Sequence, residues 1–551
     1  MTFVRTLCVV VACVAPFALV TPGASPLHAQ PAVRTIPKAP LATPIPAESL
    51  PAYVRMSAPT DPVIARIWDE GMRRSQAAKL SQALLDSIGP RLTASPNMNR
   101  AQDWAVAMYK GWGISARKER YGTWNSWQRG AATVALTAPR FKSLEATMLS
   151  WSGNTGGRPV VGDVAVIKPF RSIAEYDAWL LTTRGKIVLA SAPQLTCRMK
   201  TQVAEFATPA TMASLDSAQR ELDATYGGLT QLVRTFYTDL RNAGAVAVFE
   251  SNWSLYPGIN KVFGSPRNSA LPVIDIGCED YGMLHRLASN GQSPVARVTA
   301  ESEFLGDQPV FNVIGEIKGA TKPNEYVVLS AHFDSWEGHS GATDNGTGTI
   351  TMMEAMRILR TVLPRPSRTI LVGHWSGEEQ GLNGSGSFAA DHPEVATGLQ
   401  FAFNQDNGTG RVVTIGPTIF PENGPRLAQY MSAMPREITE WIRMQAPAMY
   451  STGSDHVSWL CRGAPAANLN ALSWDYGQTT WHTNRDSYDK VMQDDLRNNA
   501  TLTAMFAYMA SEDPQRTSRK VLSPILNVTT GQPMQLPACS APLRDASSYA
   551  R

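Results

Sequence analysis

The sequence predicts an α/β protein, a doubly wound mixed sheet interrupted by a β-rich insert. Three observations carry this. From about residue 308, buried-type strands alternate with an amphipathic helix. Between about 126 and 304 the apolar runs are shorter, closely spaced and separated by turn residues. The chain has 551 residues, too many for one hydrophobic core, so two or three domains are expected. Hydrophobic residues are 43% of the chain and charged residues 17%, as in ordinary globular proteins. The formal net charge of +4 is small for this length, and no block of like charge occurs, so nucleic acid is not an expected partner.

The chain opens on "MTFVRTLCVVVACVAPFALVTPGASPLHAQ". One early arginine, a short apolar core from Leu7 to Val20 and small residues up to Ala29 have the order of a secretory signal peptide, 1–29. The apolar run is shorter than the roughly 20 residues a membrane helix needs. "VVAC", ending at Cys13, loosely resembles a lipoprotein cleavage site, but the apolar core continues beyond it. Secretion or a periplasmic location is therefore expected, with no membrane contact after cleavage. Residues 30–60 are rich in Pro and Ala and read as an extended segment. Of the six cysteines, Cys197, Cys278, Cys461 and Cys539 lie beyond the leader. They show no C-x-x-C spacing, so a cysteine-built zinc site is not expected, and they are too few for a disulfide scaffold.

"DPVIARIWDEGMRRSQAAKLSQALLDSIG" has apolar residues at helical spacing and stops at Gly89-Pro90. "SPNMNRAQDWAVAMYKGWG" places Ala101, Trp104, Ala105 and Met108 on one helical face. In 126–304, "GAATVALTA", "GDVAVI", "GKIVLASA", "GAVAVFES" and "LPVIDIG" read as strands, with helical segments near "SAQRELDATYGGLTQLVRTFYTDLRNAG" and "CEDYGMLHRLASNG". Further on, "EYVVLSA", "SRTILVGHWSG" and "GLQFAFNQD" read as buried strands, and "GTGTITMMEAMRILRTVL" as the helix after the first of them. This alternation implies parallel pairing. In such sheets sites form beyond the carboxyl ends of the strands.

His332 follows "YVVLSA", Glu378 and Glu379 follow "TILVGHWSG", and Asp406 closes "LQFAFNQ". Asp344 lies in the glycine-rich loop after the first strand, and His482 in "TTWHTNRDSYDKV". Zinc takes imidazole and carboxylate ligands, and two nearby ions are best held by a bridging carboxylate. This chemistry gives Asp344 as the bridge between two Zn2+ ions. His332 and Asp406 complete one ion, Glu379 and His482 the other. Glu378 is the natural general base, and Asp334 can orient the His332 ring. Each residue taken singly also fits a turn or helix-start role; the coincidence of two His, two Asp and two Glu at strand ends and loops is what points to a metal site. His339 and His392 read as surface loop residues, and His374 as a packed core residue.

"AHFDSWEGHSGATDNGTGT", "GEEQGLNGS", "FNQD", "GSDHVSW" and "WHTNRDSYDKV" resemble the motifs of the clan MH di-zinc exopeptidases. The resemblance implies zinc ligands at His332, Asp344, Glu379, Asp406 and His482, and a general base at Glu378. By the same resemblance His456, in "GSDH", hydrogen-bonds the oxyanion, although a structural role for this histidine fits equally. Residues 61–125 and 305–520 would form the catalytic domain. Residues 126–304 resemble a protease-associated domain, expected to narrow the cleft and favour short peptide substrates. The tail, 521–551, matches no motif. An aminopeptidase is the favoured reading. A carboxypeptidase Q-like dipeptidase or carboxypeptidase is the alternative, with Arg485 as a candidate carboxylate-binding group. A non-catalytic, receptor-like protein of the same fold is disfavoured because all five ligand positions and the base are present. A single-zinc glutaminyl cyclase is disfavoured by the insert. The pocket shape set by Trp336 and Trp481 stays open at this point.

Overall fold

The computed structural model describes residues 61–545, apart from 169, 171, 233–234, 266–269, 446–452, 527–530 and 535–537. The expected signal peptide and the Pro/Ala-rich segment lie outside the described residues. In chain order the strands are β1 (Ser115–Ala138), β2 (Lys142–Ser143), β3 (Ala146–Met148), β4 (Val160–Val166), β5 (Ile187–Leu189), β6 (Ala247–Glu250), β7 (Val273–Ile276), β8 (Val295–Ile317), β9 (Lys322–His332), β10 (Arg368–Trp375) and β11 (Leu399–Asn404). All belong to one mixed sheet, joined at one edge by Ala466–Asn468.

The part of the sheet from β8 to β11 has the expected doubly wound form. β10, β9, β11 and Ala466–Asn468 are parallel neighbours, and β8 runs antiparallel to β10. Every residue of β10 and β11 is buried, as strands covered on both faces must be. One face packs on the helices Pro96–Gly111, Thr347–Val362 and Gln493–Glu512. The other packs on Asn383–Asp391 and Val457–Leu460. The first helical stretch starts where Asp61 accepts hydrogen bonds from the backbone N–H groups of Val63 (2.7 Å) and Ile64 (3.4 Å), a cap worth about 1 kcal/mol. It continues as a π-helical turn to Arg73, resumes at Ala77–Gln82, and stops at Gly89, whose φ of +86° favours glycine. In the Pro96–Gly111 helix Ala101 and Ala105 are buried, while Trp104 and Met108 pack at the edge of the core.

The strand-like runs of the insert form strands, but β4, β5, β6 and β7 pair in parallel and have helices on both faces. Tyr281 and Leu284 of Cys278–Ser289 pack on one face. Tyr176, Trp179, Phe236 and Leu240 pack on the other. The boundaries read from sequence, 126 and 304, fall inside β1 and β8. These two long strands pair antiparallel from Ser115↔Glu316 to Ala138↔Val295, with register shifts at four points. β10 joins β8 along 313–317, and β4 joins it along 295–298. Each long strand thus serves both halves. Side-chain texture changes at the junction, but the backbone ladder runs through it.

The four cysteines among the described residues form two disulfides, Cys197–Cys278 and Cys461–Cys539. The second ties the tail to the Val457–Leu460 helix. Near the tail's end Arg544 pairs with both carboxylate oxygens of Asp391 (2.7 and 2.8 Å), and its carbonyl accepts a hydrogen bond from the Thr123 N–H (2.8 Å). The tail therefore docks on β1 and on Asn383–Asp391. Among the described residues no helix is long and apolar enough to cross a membrane.

Candidate metal centre

β9 delivers His332 at its carboxyl end, and β11 delivers Asp406 two residues beyond its own. After β10, Gly377 turns the chain with φ +73° and presents Glu378 and Glu379. A Cβ at Gly377 would lie 2.6 Å from the Tyr121 hydroxyl, so this turn needs glycine. The loop between β9 and Thr347–Val362 carries Asp344. Its carbonyls at Ser340 and Gly341 and that of Phe333 accept hydrogen bonds from the buried Arg91 guanidinium at 2.7, 2.9 and 2.7 Å. From the other side the Asp486 carboxylate accepts the N–H groups of Thr343 (2.7 Å) and Asp344 (3.0 Å).

The structure brings the five expected ligands together. His332 Nε2 lies 3.1 Å from Asp406 Oδ1 and 3.3 Å from Asp344 Oδ1. His482 Nε2 lies 3.1 Å from Asp344 Oδ2 and 2.8 Å from Glu379 Oε2. Asp344 therefore turns one oxygen to each histidine, as a bridging carboxylate does. Two three-residue groups result, sharing Asp344, with all ligand atoms in a group within 4.8 Å of one another. Ligand atoms around a tetrahedral zinc with bonds near 2.0 Å stand about 3.3 Å apart, so both groups fit a zinc ion. Glu379 Oε1 is buried without a hydrogen-bond partner, a lone acceptor of the kind a cation satisfies.

The electrostatics agree. Burial pushes the Glu379 carboxyl up to about 7, with Asp344 adding to it, and raises Glu378 well above the usual carboxylate range. Burial alone would lower the histidines. Asp406 and its neighbours instead raise His332 well above the usual range, and Glu379 and Asp344 raise His482 to about 10. With both rings raised in this way, a zinc ion held by them would have to displace their ring protons. Protons would compete harder as pH falls, so zinc affinity is expected to weaken on acidification. Titrating the metal-free protein with zinc at pH 7, in buffers of different ionisation enthalpy, is expected to show release of about one proton or more per chain. A heat independent of buffer would contradict this.

The structure gives Asp334 a different connection to the site from the one expected. The His332 Nδ1–H group faces the Asp334 backbone carbonyl at 3.0 Å, not the carboxylate, which lies 3.8 Å away. The carboxylate instead accepts the N–H groups of Glu378 and Glu379, both at 3.3 Å, and so fixes the turn that presents them. His456 is buried, and burial lowers it to about 4, so its ring is neutral near pH 7. His374 is buried against the Tyr109 hydroxyl at 2.6 Å, a core role as expected. His339 is exposed, as expected of a loop residue, and lines the cleft beside Trp336, Gly341 and His482. His392 is half-buried, with Glu119 at 2.6 Å and Glu394 at 3.1 Å. Arg485 pairs with Glu145 and donates to the Gly258 carbonyl at 2.9 Å, so its guanidinium is engaged by the insert. Sequence reasoning passed over Arg91 and Asp486; Asp486 lies inside the "WHTNRDSYDKV" motif, but the role of each shows only in the backbone groups it meets.

Residues 312–507 match the model of peptidase family M28. The chain is a zinc metallopeptidase with an M28 peptidase region. Over 403 residues it is 26% identical to carboxypeptidase Q of Pongo abelii, covering 72% of this chain and 78% of that one. A peptidase M28 precursor from Shewanella amazonensis shares the fold with a TM-score of 0.61 at 22% identity, over 84% of this chain and 98% of that one. BSAP, a zinc aminopeptidase from Bacillus subtilis, matches with a TM-score of 0.50 at 19% identity, over 81% and 96%. The M28 peptidase uses two zinc ions and acts on peptides, and the two histidine–carboxylate groups are residues that fit such ions.

Proposed function

We propose that this M28 peptidase is a secreted exopeptidase that removes residues from the amino end of short peptides. His332, Asp344 and Asp406 would hold one zinc, and Asp344, Glu379 and His482 the other. Bound zinc would polarise the scissile carbonyl and make water acidic enough to attack it. Glu378 takes the proton from that water and passes it to the leaving amine. Its carboxyl suits both steps, because burial favours the protonated form it must adopt between them. The Asp334 carboxylate keeps Glu378 in place through the backbone. His456, buried and neutral, is the group proposed to donate to the developing oxyanion.

The observation that carries the reading is Asp344 facing both His332 and His482 with separate oxygens. The preference for the amino end is supported by Arg485, whose pairing with Glu145 removes the guanidinium best suited to a terminal carboxylate. The similarity to carboxypeptidase Q supports a second reading, a dipeptidase or carboxypeptidase. We read residues 126–304 as a protease-associated domain and residues 1–29 as a signal peptide; the two disulfides fit an oxidising compartment. A substrate panel tests the end preference. Cleavage of aminoacyl-nitroanilides and of C-amidated dipeptides, with none of N-acylated peptides, is the expected result. The reverse pattern would favour the second reading.

A further inference from the structure

The backbone of His482 is held from the insert. Its φ is +52°, a left-handed conformation that is costly for a residue other than glycine and persists where the surroundings enforce it. What enforces it is the segment 258–263. The Val262 N–H donates to the His482 carbonyl at 2.6 Å. Lys261 and Thr483 form an antiparallel bridge. The Asn484 N–H donates to the Asn260 carbonyl at 3.1 Å, and the Asn260 N–H donates to Asn484 Oδ1 at 3.0 Å. The Lys261 ammonium donates to the carbonyls of Gly477 and Trp481, each at 2.6 Å, and lies 4.5 Å from the centre of the Trp481 ring. Trp481 stacks on the His482 imidazole at 4.0 Å, and Phe263 meets the same ring edge-on at 5.2 Å.

Apart from His482 itself, none of these groups is among the six side chains assigned to metal and proton transfer. We propose that 258–263 is a positioning strap for His482, so that the insert is needed for tight binding of the ion on the Glu379–His482 side. The inference rests on the reading of His482 as a zinc ligand. The strap fixes where one imidazole stands, and Lys261 closes the strap by bridging two carbonyls just ahead of that imidazole. Partners that orient a ligand from behind typically change metal affinity by about 10–100-fold.

Zinc content and affinity of the purified full-length chain, measured in zinc buffers, test this. In Lys261→Met one zinc should bind as in the wild type and the second about 10–100-fold more weakly. Lys261→Arg, which keeps the cation over Trp481, should restore most of that affinity. His482→Ala, as the reference, should lose the same zinc. If His482→Ala loses a zinc and Lys261→Met keeps both at full affinity, the strap has no such role. If His482→Ala itself keeps both, the ligand reading fails first. Should Lys261→Met not fold, hydrogen exchange on the wild-type chain decides, because coupling between binding and order is reciprocal. Removing zinc should then speed exchange in 258–263 together with 481–485. Faster exchange confined to 481–485 would overturn the strap.

Discussion

Glu378→Gln is expected to lower kcat by about 10²–10⁴-fold while both zinc ions stay bound. The amide matches the carboxylate in size, and the backbone N–H that anchors this residue to Asp334 is untouched. What disappears is the proton acceptor. The acid limb of the kcat/KM profile should flatten with it, since the group that must be ionised there is gone. Metal analysis and a pH–rate profile on one preparation check both parts. Loss of zinc in Glu378→Gln would make this residue a ligand instead of a base, and an unchanged kcat would remove it from the chemistry.

Asp344→Ala is expected to abolish binding of both zinc ions and with it all peptidase activity. The argument is geometric: one carboxylate faces both histidines, at 3.3 and 3.1 Å, so its removal takes a ligand from each group at once. A stability effect follows. A ligand present at about 1,000 times its Kd stabilises the folded state by about 4 kcal/mol per site. Chelation should therefore lower the thermal midpoint of the wild type, and Asp344→Ala should begin at that lowered midpoint and show no further shift. Retention of one zinc by Asp344→Ala would mean that Asp344 serves a single ion.

The convergence at the site was legible because its members sit where short-range patterns speak. His332, Glu378, Glu379 and Asp406 each follow a buried apolar strand, and strands of an α/β sheet end on a common edge. Asp344 and His482 lie in loops, and their placement came from the motifs. Less legible were groups whose partners are backbone atoms far away in sequence. Arg91 follows a helix stop and looks like any loop arginine until the Ser340 and Gly341 carbonyls are seen around it. Asp334 sits two residues from His332 and suggested a direct carboxylate contact; only the fold shows its oxygens turned to the Glu378–Glu379 turn. Arg485, read as a candidate for a substrate carboxylate, meets Glu145, more than 300 positions earlier in the chain. The parallel pairing within the insert was hidden because strands as short as Ile187–Leu189 carry no periodicity that separates parallel from antiparallel neighbours.

The long ladder between Ser115–Ala138 and Val295–Ile317 sets the order in which a nascent chain can be completed. The earlier strand leaves the ribosome with one whole edge unpaired, and it stays so until everything up to Ile317 has followed. Bare edges of this length invite pairing with other molecules. Export through a translocon would extend that wait across a membrane, and a holding chaperone would then have to cover the open edge for longer than the final compactness suggests.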